Sequence, residues 1–211
     1  RKALDPKTGK MIDVPANMTY EEWYKKYVEM NPEAKLEEKK IQKRTSDRKQ
    51  YAQYKKVLGK DIPKTLDDFQ DMKYTDSEKW QYTKLDYQRR NKLLNNPELK
   101  LPNAENAVLP EAKFTKYLFD GEHLNGLAKG KAFTSRLGYD ISNWKSLQKE
   151  LKEGALKYPA TYKGETEYGK KYEQQMIIYG KKNTPANVIV GWMHRPDGAI
   201  SMSSAYIKEV K

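Results

Sequence analysis

Met176-Ile177-Ile178-Tyr179-Gly180-Lys181-Lys182-Asn183-Thr184-Pro185-Ala186-Asn187-Val188-Ile189-Val190-Gly191-Trp192-Met193-His194-Arg195-Pro196-Asp197-Gly198-Ala199-Ile200 is the stretch that decides the fold. Two apolar, β-branched runs are separated by Gly180-Lys181-Lys182-Asn183, and the second is followed at once by Pro196-Asp197-Gly198. Runs of this kind bounded by turn residues read as strands. Connections this short join antiparallel neighbours.

Working outward, four strands are predicted: Thr161–Thr166, Tyr168–Tyr179, Pro185–Arg195 and Ala199–Lys208. Upstream of Pro159 the period becomes helical. Leu127–Leu137 carries Ala128, Ala132, Phe133, Arg136 and Leu137 and is closed by Gly138. The next helix has Ser142 as its cap and Trp144, Leu147, Leu151 and Leu156 on its buried stripe. Phe114, Tyr117 and Leu118 suit one helical turn, and Asp120-Gly121 and Asn125-Gly126 frame a loop holding Glu122 and His123. Helices followed by an antiparallel meander predict an α+β domain over residues 112–211, with two or three helices packed on a four-stranded sheet.

Residues 96–111 contain Pro97, Pro102 and Pro110, which exclude a helix and predict an exposed linker between two modules. The first module is a charged helical stretch over residues 18–95, preceded by an extended arm, 1–17, with turn signals and no periodicity. Its first helix starts at Thr19, with Glu22 completing a capping box, and puts Trp23, Tyr27 and Met30 on one face. The second spans Pro32–Leu58, with a thin stripe of Leu36, Ile41, Tyr51, Tyr54 and Leu58 and a weak point at Ser46-Asp47. A third covers residues 65–74 behind Thr65, and a fourth Ser77–Asn95 with Trp80, Leu85, Tyr87 and Leu94. Stripes this narrow and aromatic suit a small bundle or an arm that needs a partner. Tyr20, Tyr24, Tyr27, Tyr51, Tyr54, Tyr74, Tyr82 and Tyr87, set among lysines, are either its core or stacking platforms for single-stranded nucleic acid.

The chain carries a net charge of +12, from 41 Lys and Arg against 29 Asp and Glu. Residues 1–109 hold 24 basic and 18 acidic side chains, and residues 110–211 hold 17 and 11, so the excess is spread evenly and is no tail. A basic surface favours an anionic partner, nucleic acid first. Lysine-rich codon usage is the plain alternative. The absence of cysteine excludes disulfides, thiolate nucleophiles and thiolate metal sites. With two histidines and no paired-carboxylate pattern on a strand, neither a metal nor a cofactor is expected. No apolar run approaches the roughly 18 residues of a membrane span, so no membrane insertion is expected. The chain starts at Arg1 without a charged-then-apolar leader and reads as a piece of a longer polypeptide.

No P-loop, dinucleotide fingerprint or nucleophile elbow occurs. A site must therefore come from scattered Lys, Arg, His, Ser and Tyr. That inventory suits metal-independent RNA cleavage, in which the 2′-hydroxyl attacks the phosphate, a base and an acid move protons, and a cation steadies the phosphorane. The candidate catalytic residues are His194, Lys129, Tyr206, His123 and Ser204, and the candidate substrate-binding residues are Lys131, Arg195 and Trp192. His194 closes the third strand, and the hairpin brings Ser201, Ser203, Ser204 and Tyr206 alongside. Alternation puts Trp192 and His194 on one face and Arg195 on the other, unless the strand ends at 194. His123 lies in a polar loop, where function concentrates. Lys129 and Lys131 flank Gly130 near a helix start, against the helix dipole. A bound anion would explain them, and so would a solvated helix face.

Two stretches resemble known families. Asp5-Pro6-Lys7-Thr8-Gly9-Lys10, Met18-Thr19-Tyr20-Glu21-Glu22-Trp23-Tyr24-Lys25-Lys26-Tyr27-Val28 and Ser46-Asp47-Arg48-Lys49-Gln50-Tyr51 onward to Trp80 resemble the segment that follows the head-morphogenesis domain in minor capsid proteins of temperate phages. Lys113-Phe114-Thr115-Lys116-Tyr117-Leu118-Phe119, the loop Glu122-His123 to Gly126, Ala128-Lys129-Gly130-Lys131-Ala132-Phe133, Leu137-Gly138-Tyr139, Tyr168-Gly169-Lys170-Lys171-Tyr172, Val190-Gly191-Trp192 and Ser203-Ser204-Ala205-Tyr206 resemble a small domain at the ends of polymorphic and phage-associated toxins. That domain is similar to the barnase/EndoU/colicin/RelE-like ribonucleases. The resemblances imply a phage-encoded, virion-associated toxin whose nuclease acts on RNA in the bacterial cytoplasm. The implied partners are an acidic immunity protein and, through the N-terminal helices, phage head or portal proteins. They carry over no catalytic residue. A virion structural or cargo protein without catalysis is the competing expectation. ADP-ribosylation fits poorly, since Ser201-Met202-Ser203-Ser204 is followed only by Glu209 among carboxylates.

Overall fold

A computed structural model describes residues 2–5, 8–121 and 123–210. The side chains of residues 4, 20 and 34–42 lie outside the described residues, and with them Tyr20 of the expected tyrosine set and Leu36 and Ile41 of the expected stripe; so does Glu122 of the expected loop.

The chain opens on a hairpin, where an unpaired arm was expected. Strand β1 (Lys2–Leu4) runs antiparallel to β2 (Met11–Asp13). Helix α1 (Tyr20–Met30) has the expected capping box, with Glu22 N–H donating to Thr19 Oγ1 at 3.2 Å and Thr19 N–H to Glu22 Oε2 at 2.8 Å. The Tyr27 hydroxyl ties it to the hairpin by donating to Asp5 Oδ1 at 2.8 Å.

Helix α2 (Ala34–Leu58) runs unbroken through Ser46-Asp47. Asp47 is held there by helix α3 (Leu66–Thr75): its carboxylate accepts from Lys73 Nζ at 2.6 Å, Gln70 Nε2 at 2.8 Å and the Tyr74 hydroxyl at 2.8 Å. Tertiary partners thus use the side chain that would otherwise compete for the backbone. Burial raises the Asp47 carboxyl, but the bonds from Lys73, Gln70 and Tyr74 outweigh it and hold it below the usual carboxylate range. A carboxylate depressed in the folded state stabilises fully above its unfolded value of about 3.9, and that stability is lost as pH falls through the folded value. Asp47→Asn should therefore remove about 1–2 kcal/mol at neutral pH and flatten the acid limb of a urea-unfolding profile below about pH 4. An unchanged acid limb would contradict this account.

The core of the helical half is aromatic. Tyr54, Leu58, Ile62, Phe69 and Met72 are buried, with Tyr51, Trp80 and Tyr87 packed against them. Tyr54 stacks on Tyr87 at 4.0 Å and on Trp80 at 5.6 Å, and Phe69 meets Trp80 edge-on at 5.5 Å. Tyr51, Tyr54 and Tyr87 therefore serve as core, not as free stacking platforms.

Residues 96–111 are not an exposed linker. The segment forms two short 3-10 turns, Pro97–Leu99 and Ala104–Asn106; Leu101, Ala104, Ala107 and Leu109 are buried in the main core, and Val108 bridges the outer edge of the sheet at Ser201. Apolar residues between the prolines drive the segment inward, and the bridge satisfies its backbone.

Four antiparallel strands follow in the order β3 (Ala160–Thr166), β4 (Gly169–Ile178), β5 (Ala186–His194) and β6 (Ile200–Ile207), a meander. The molecule has the α+β architecture expected. One sheet face, with Met176, Ile178, Val188, Val190, Trp192 and Met202, packs on Phe133 and Leu137 of helix α5 (Leu124–Leu137) and on Leu147 and Leu151 of helix α6 (Trp144–Ala155). Helix α6 is capped at Asn143, with Ser142 bonded to Asp140 instead, and Leu156 lies past its end, 45% exposed and off the expected stripe.

The other sheet face is covered by helix α4 (Ser77–Asn95) of the helical half. Alternation aims Gln175, Ile177, Asn187 and Ile189 this way. Arg89 donates from Nη1 to Asn187 Oδ1 at 2.7 Å and from Nη2 to Gln175 Oε1 at 3.0 Å. Beside it Asp86, fully buried, accepts from Arg90 Nε at 2.7 Å, Arg90 Nη2 at 3.0 Å and the hydroxyls of Tyr158 and Tyr179, both at 2.6 Å. Arg90 also reaches Asp61 at 2.8 Å. Burial pushes the Asp86 carboxyl up, and Arg90 with the two hydroxyls offsets only part of that rise. With four donors converging, the network is built for the ionised carboxylate.

Candidate functional site

Lys113–Leu118 forms a π-helical turn, closed by Phe119 N–H donating to Phe114 O at 3.0 Å. π-Helical turns concentrate at functional sites. Phe114 anchors this one in the core, stacked on Trp144 at 5.6 Å. Helix α5 then lies against it with almost no gap. A Cβ added at Gly126 would stand 2.1 Å from the Tyr117 carbonyl oxygen, and one at Gly130 would stand 1.8 Å from the Leu118 carbonyl oxygen. Residues four apart share a helix face, so the two glycines form one smooth strip on which the turn rests. This corrects the expected loop: α5 begins at Leu124, with His123 as its N-cap, because Gly126 is needed inside the helix.

The close approach gathers side chains around Tyr117. The His123 ring is 5.4 Å from the Tyr117 ring. Lys129 Nζ donates to the Tyr117 hydroxyl at 3.4 Å and stands 5.5 Å from both the Tyr117 and the Tyr206 ring centroids. Lys113 Nζ lies 5.9 Å from the Tyr117 ring. Lys129 is thus held between two tyrosine faces, and cation–π attraction orients its ammonium.

Of the residues singled out from sequence, His123, Lys129 and Tyr206 come together here. Ser204 sits two positions before Tyr206 on the same strand face, its hydroxyl packed against Gly191. Lys131 is exposed, and residues two apart on a helix do not face each other, so it points away from Lys129. His194 stands elsewhere. It pairs with Ile200, six residues from Tyr206 along β6, which is about 20 Å at strand rise; its ring neighbour is Tyr172 at 6.3 Å. Arg195 is exposed beyond the end of β5, in the turn that its N–H closes on Ala199 O. Trp192 lies within the core, 1% exposed, and not at a surface. Tyr117 and Lys113 were missed. The signal for them was the pair Gly126 and Gly130, which marks where a second backbone must approach.

The site is a cationic, tyrosine-lined cluster on the helical side of an α+β meander. The chain belongs to the family of the domain of unknown function DUF6883, whose model matches residues 100–209. That match begins inside the buried 96–111 segment and takes in the whole cluster. Neither the curated proteins nor the solved structures give a significant match. Among the described residues no group of three or more His, Asp or Glu is placed to hold a metal ion, and no helix is long and apolar enough to cross a membrane.

Proposed function

We propose that the C-terminal domain is a metal-independent ribonuclease whose centre is His123, Lys129, Tyr117 and Tyr206. The observation that carries it is the convergence of an imidazole, an ammonium and two phenol rings on one basic patch. In this reading His123 takes the proton of the ribose 2′-hydroxyl, whose oxygen attacks phosphorus. The Lys129 ammonium neutralises the phosphorane. The bond to the 5′-oxygen breaks, and that oxygen takes a proton from a neighbouring tyrosine hydroxyl. The products are a cyclic phosphate and a free 5′-hydroxyl. The toxin-like resemblance of residues 113–206 supports a phage-encoded effector held in check by an acidic immunity protein, and the resemblance of residues 5–90 supports its carriage with the virion.

The test is RNA integrity. The full chain, incubated with total RNA in chelator, should degrade it, and expression should arrest bacterial growth. His123→Ala and Lys129→Ala should each slow cleavage by about 10²-fold, while His194→Ala stays within about twofold of the parent. Intact RNA with a folded protein would overturn the proposal. Salt-sensitive, sequence-indifferent nucleic-acid binding without cleavage would then favour the virion structural reading.

A further inference from the structure

The free edge of the sheet holds a second cationic feature. Strand β3 is the outer strand beside β4, whereas the opposite edge at β6 is bridged by Val108. A pocket of about 190 Å³ opens behind β3, lined by Arg89, Lys92, Pro159, Thr161, Glu173 and Gln175. Arg89 is fixed there by two neutral amide oxygens, those of Asn187 and Gln175. Among the described residues no carboxylate stands within ion-pair distance of it, since Asp86, one turn earlier, is engaged by Arg90, Tyr158 and Tyr179. Burial lowers the Arg89 guanidinium from its usual range, against the pull of Tyr158 and Asp86. A part-buried cation held in place without a counter-charge is a ready acceptor for an anion. Lys92 adds a second positive charge and Thr161 a hydroxyl donor. Glu173 is the one acidic lining residue and opposes an anion.

The residue after Thr161 is Tyr162, which alternation turns to the other face of the same edge. It is 52% exposed and rests edge-on against Tyr172 at 5.7 Å. One edge strand therefore presents an anion pocket on one side and a supported, solvent-facing aromatic ring on the other. We propose that the β3 edge binds single-stranded nucleic acid, with a backbone phosphate in the Arg89–Lys92–Thr161 pocket and a base stacked on Tyr162. The proposal takes nucleic acid from the ribonuclease reading but places the contact away from the His123–Lys129 cluster, as a holding site for the strand.

The experiment uses the full chain and a short fluorescein-labelled 2′-O-methyl oligouridine, which lacks the attacking hydroxyl, so binding is read whether or not the protein cleaves RNA. Tyr162→Ala and the pair Lys92→Gln with Thr161→Val should each weaken binding by about tenfold, and inorganic phosphate should compete only while Lys92 and Thr161 are intact. Glu173→Gln should tighten binding, an effect a structural role would not produce. Lys149→Gln on helix α6 should do no more than any single lost charge. Equal affinity for the parent and both weakening variants would overturn the proposal, as would loss of binding only in His123→Ala or Lys129→Ala. Loss of cleavage in those two variants with β3-edge binding retained would separate this site from the catalytic one.

Discussion

Asp86→Ala is expected to lower the unfolding free energy by about 3–5 kcal/mol, because it takes from a buried arginine the carboxylate that holds it twice. Asp86 is fully buried and receives four donated hydrogen bonds, from Nε and Nη2 of Arg90 and from the Tyr158 and Tyr179 hydroxyls. Removing the carboxylate leaves Arg90 with Asp61 and the Tyr158 hydroxyl, leaves Tyr158 with the Ile177 carbonyl, and takes away the acceptor of the Tyr179 hydroxyl. Tyr158 and Tyr179 belong to the sheet domain and Asp86 to helix α4, so the loss falls on the junction between them. Urea unfolding followed by circular dichroism would measure it. Tyr179→Phe, which removes one donor, should cost about 1 kcal/mol. A loss below about 1 kcal/mol for Asp86→Ala would mean that the sheet and α4 are held by the Arg89 bonds to Asn187 and Gln175 and by apolar contact, and not by the Asp86 network.

The second large effect is at Gly130. Its added Cβ would stand 1.8 Å from the Leu118 carbonyl oxygen, and the obstacle is backbone, which cannot swing aside. Gly130→Ala should destabilise the protein by about 3 kcal/mol, despite the better helix propensity of alanine, since overpacking of this kind outweighs the roughly 1 kcal/mol that the propensity returns. It should also push the Lys113–Leu118 turn away from α5 and separate Tyr117 from Lys129. RNA cleavage should then fall by at least as much as in Lys129→Ala, at a temperature where the variant is still folded. A Gly130→Ala protein as stable and active as its parent would show that the turn slides freely on the helix.

The sequence by itself determined the four strands of the meander, the main helices and their order, though not the β1–β2 hairpin or the start of α5. The Val188–Val190 and Met176–Ile178 runs with their turns are local signals, and so is the Thr19–Glu22 capping box. Strand length and turn residues act over a few positions, so a linear reading reaches them. It also reached His123, Lys129 and Tyr206 as chemistry-bearing residues. What it could not reach depends on which surfaces meet. Turn residues and alternation put Trp192 and His194 on one face with His194 at the strand end, but only the packing of α5 and α6 shows that Trp192 is covered. Proline spacing made 96–111 look like a linker, yet four small or aliphatic residues between the prolines were enough to draw it into the core. The partnership of Tyr117 with Lys129 spans twelve positions and exists because Gly126 and Gly130 let two backbones touch. Contact of that kind is decided by the absence of side-chain volume, which leaves no pattern in hydrophobicity or charge, and so the tertiary structure alone decided where the candidate site is assembled.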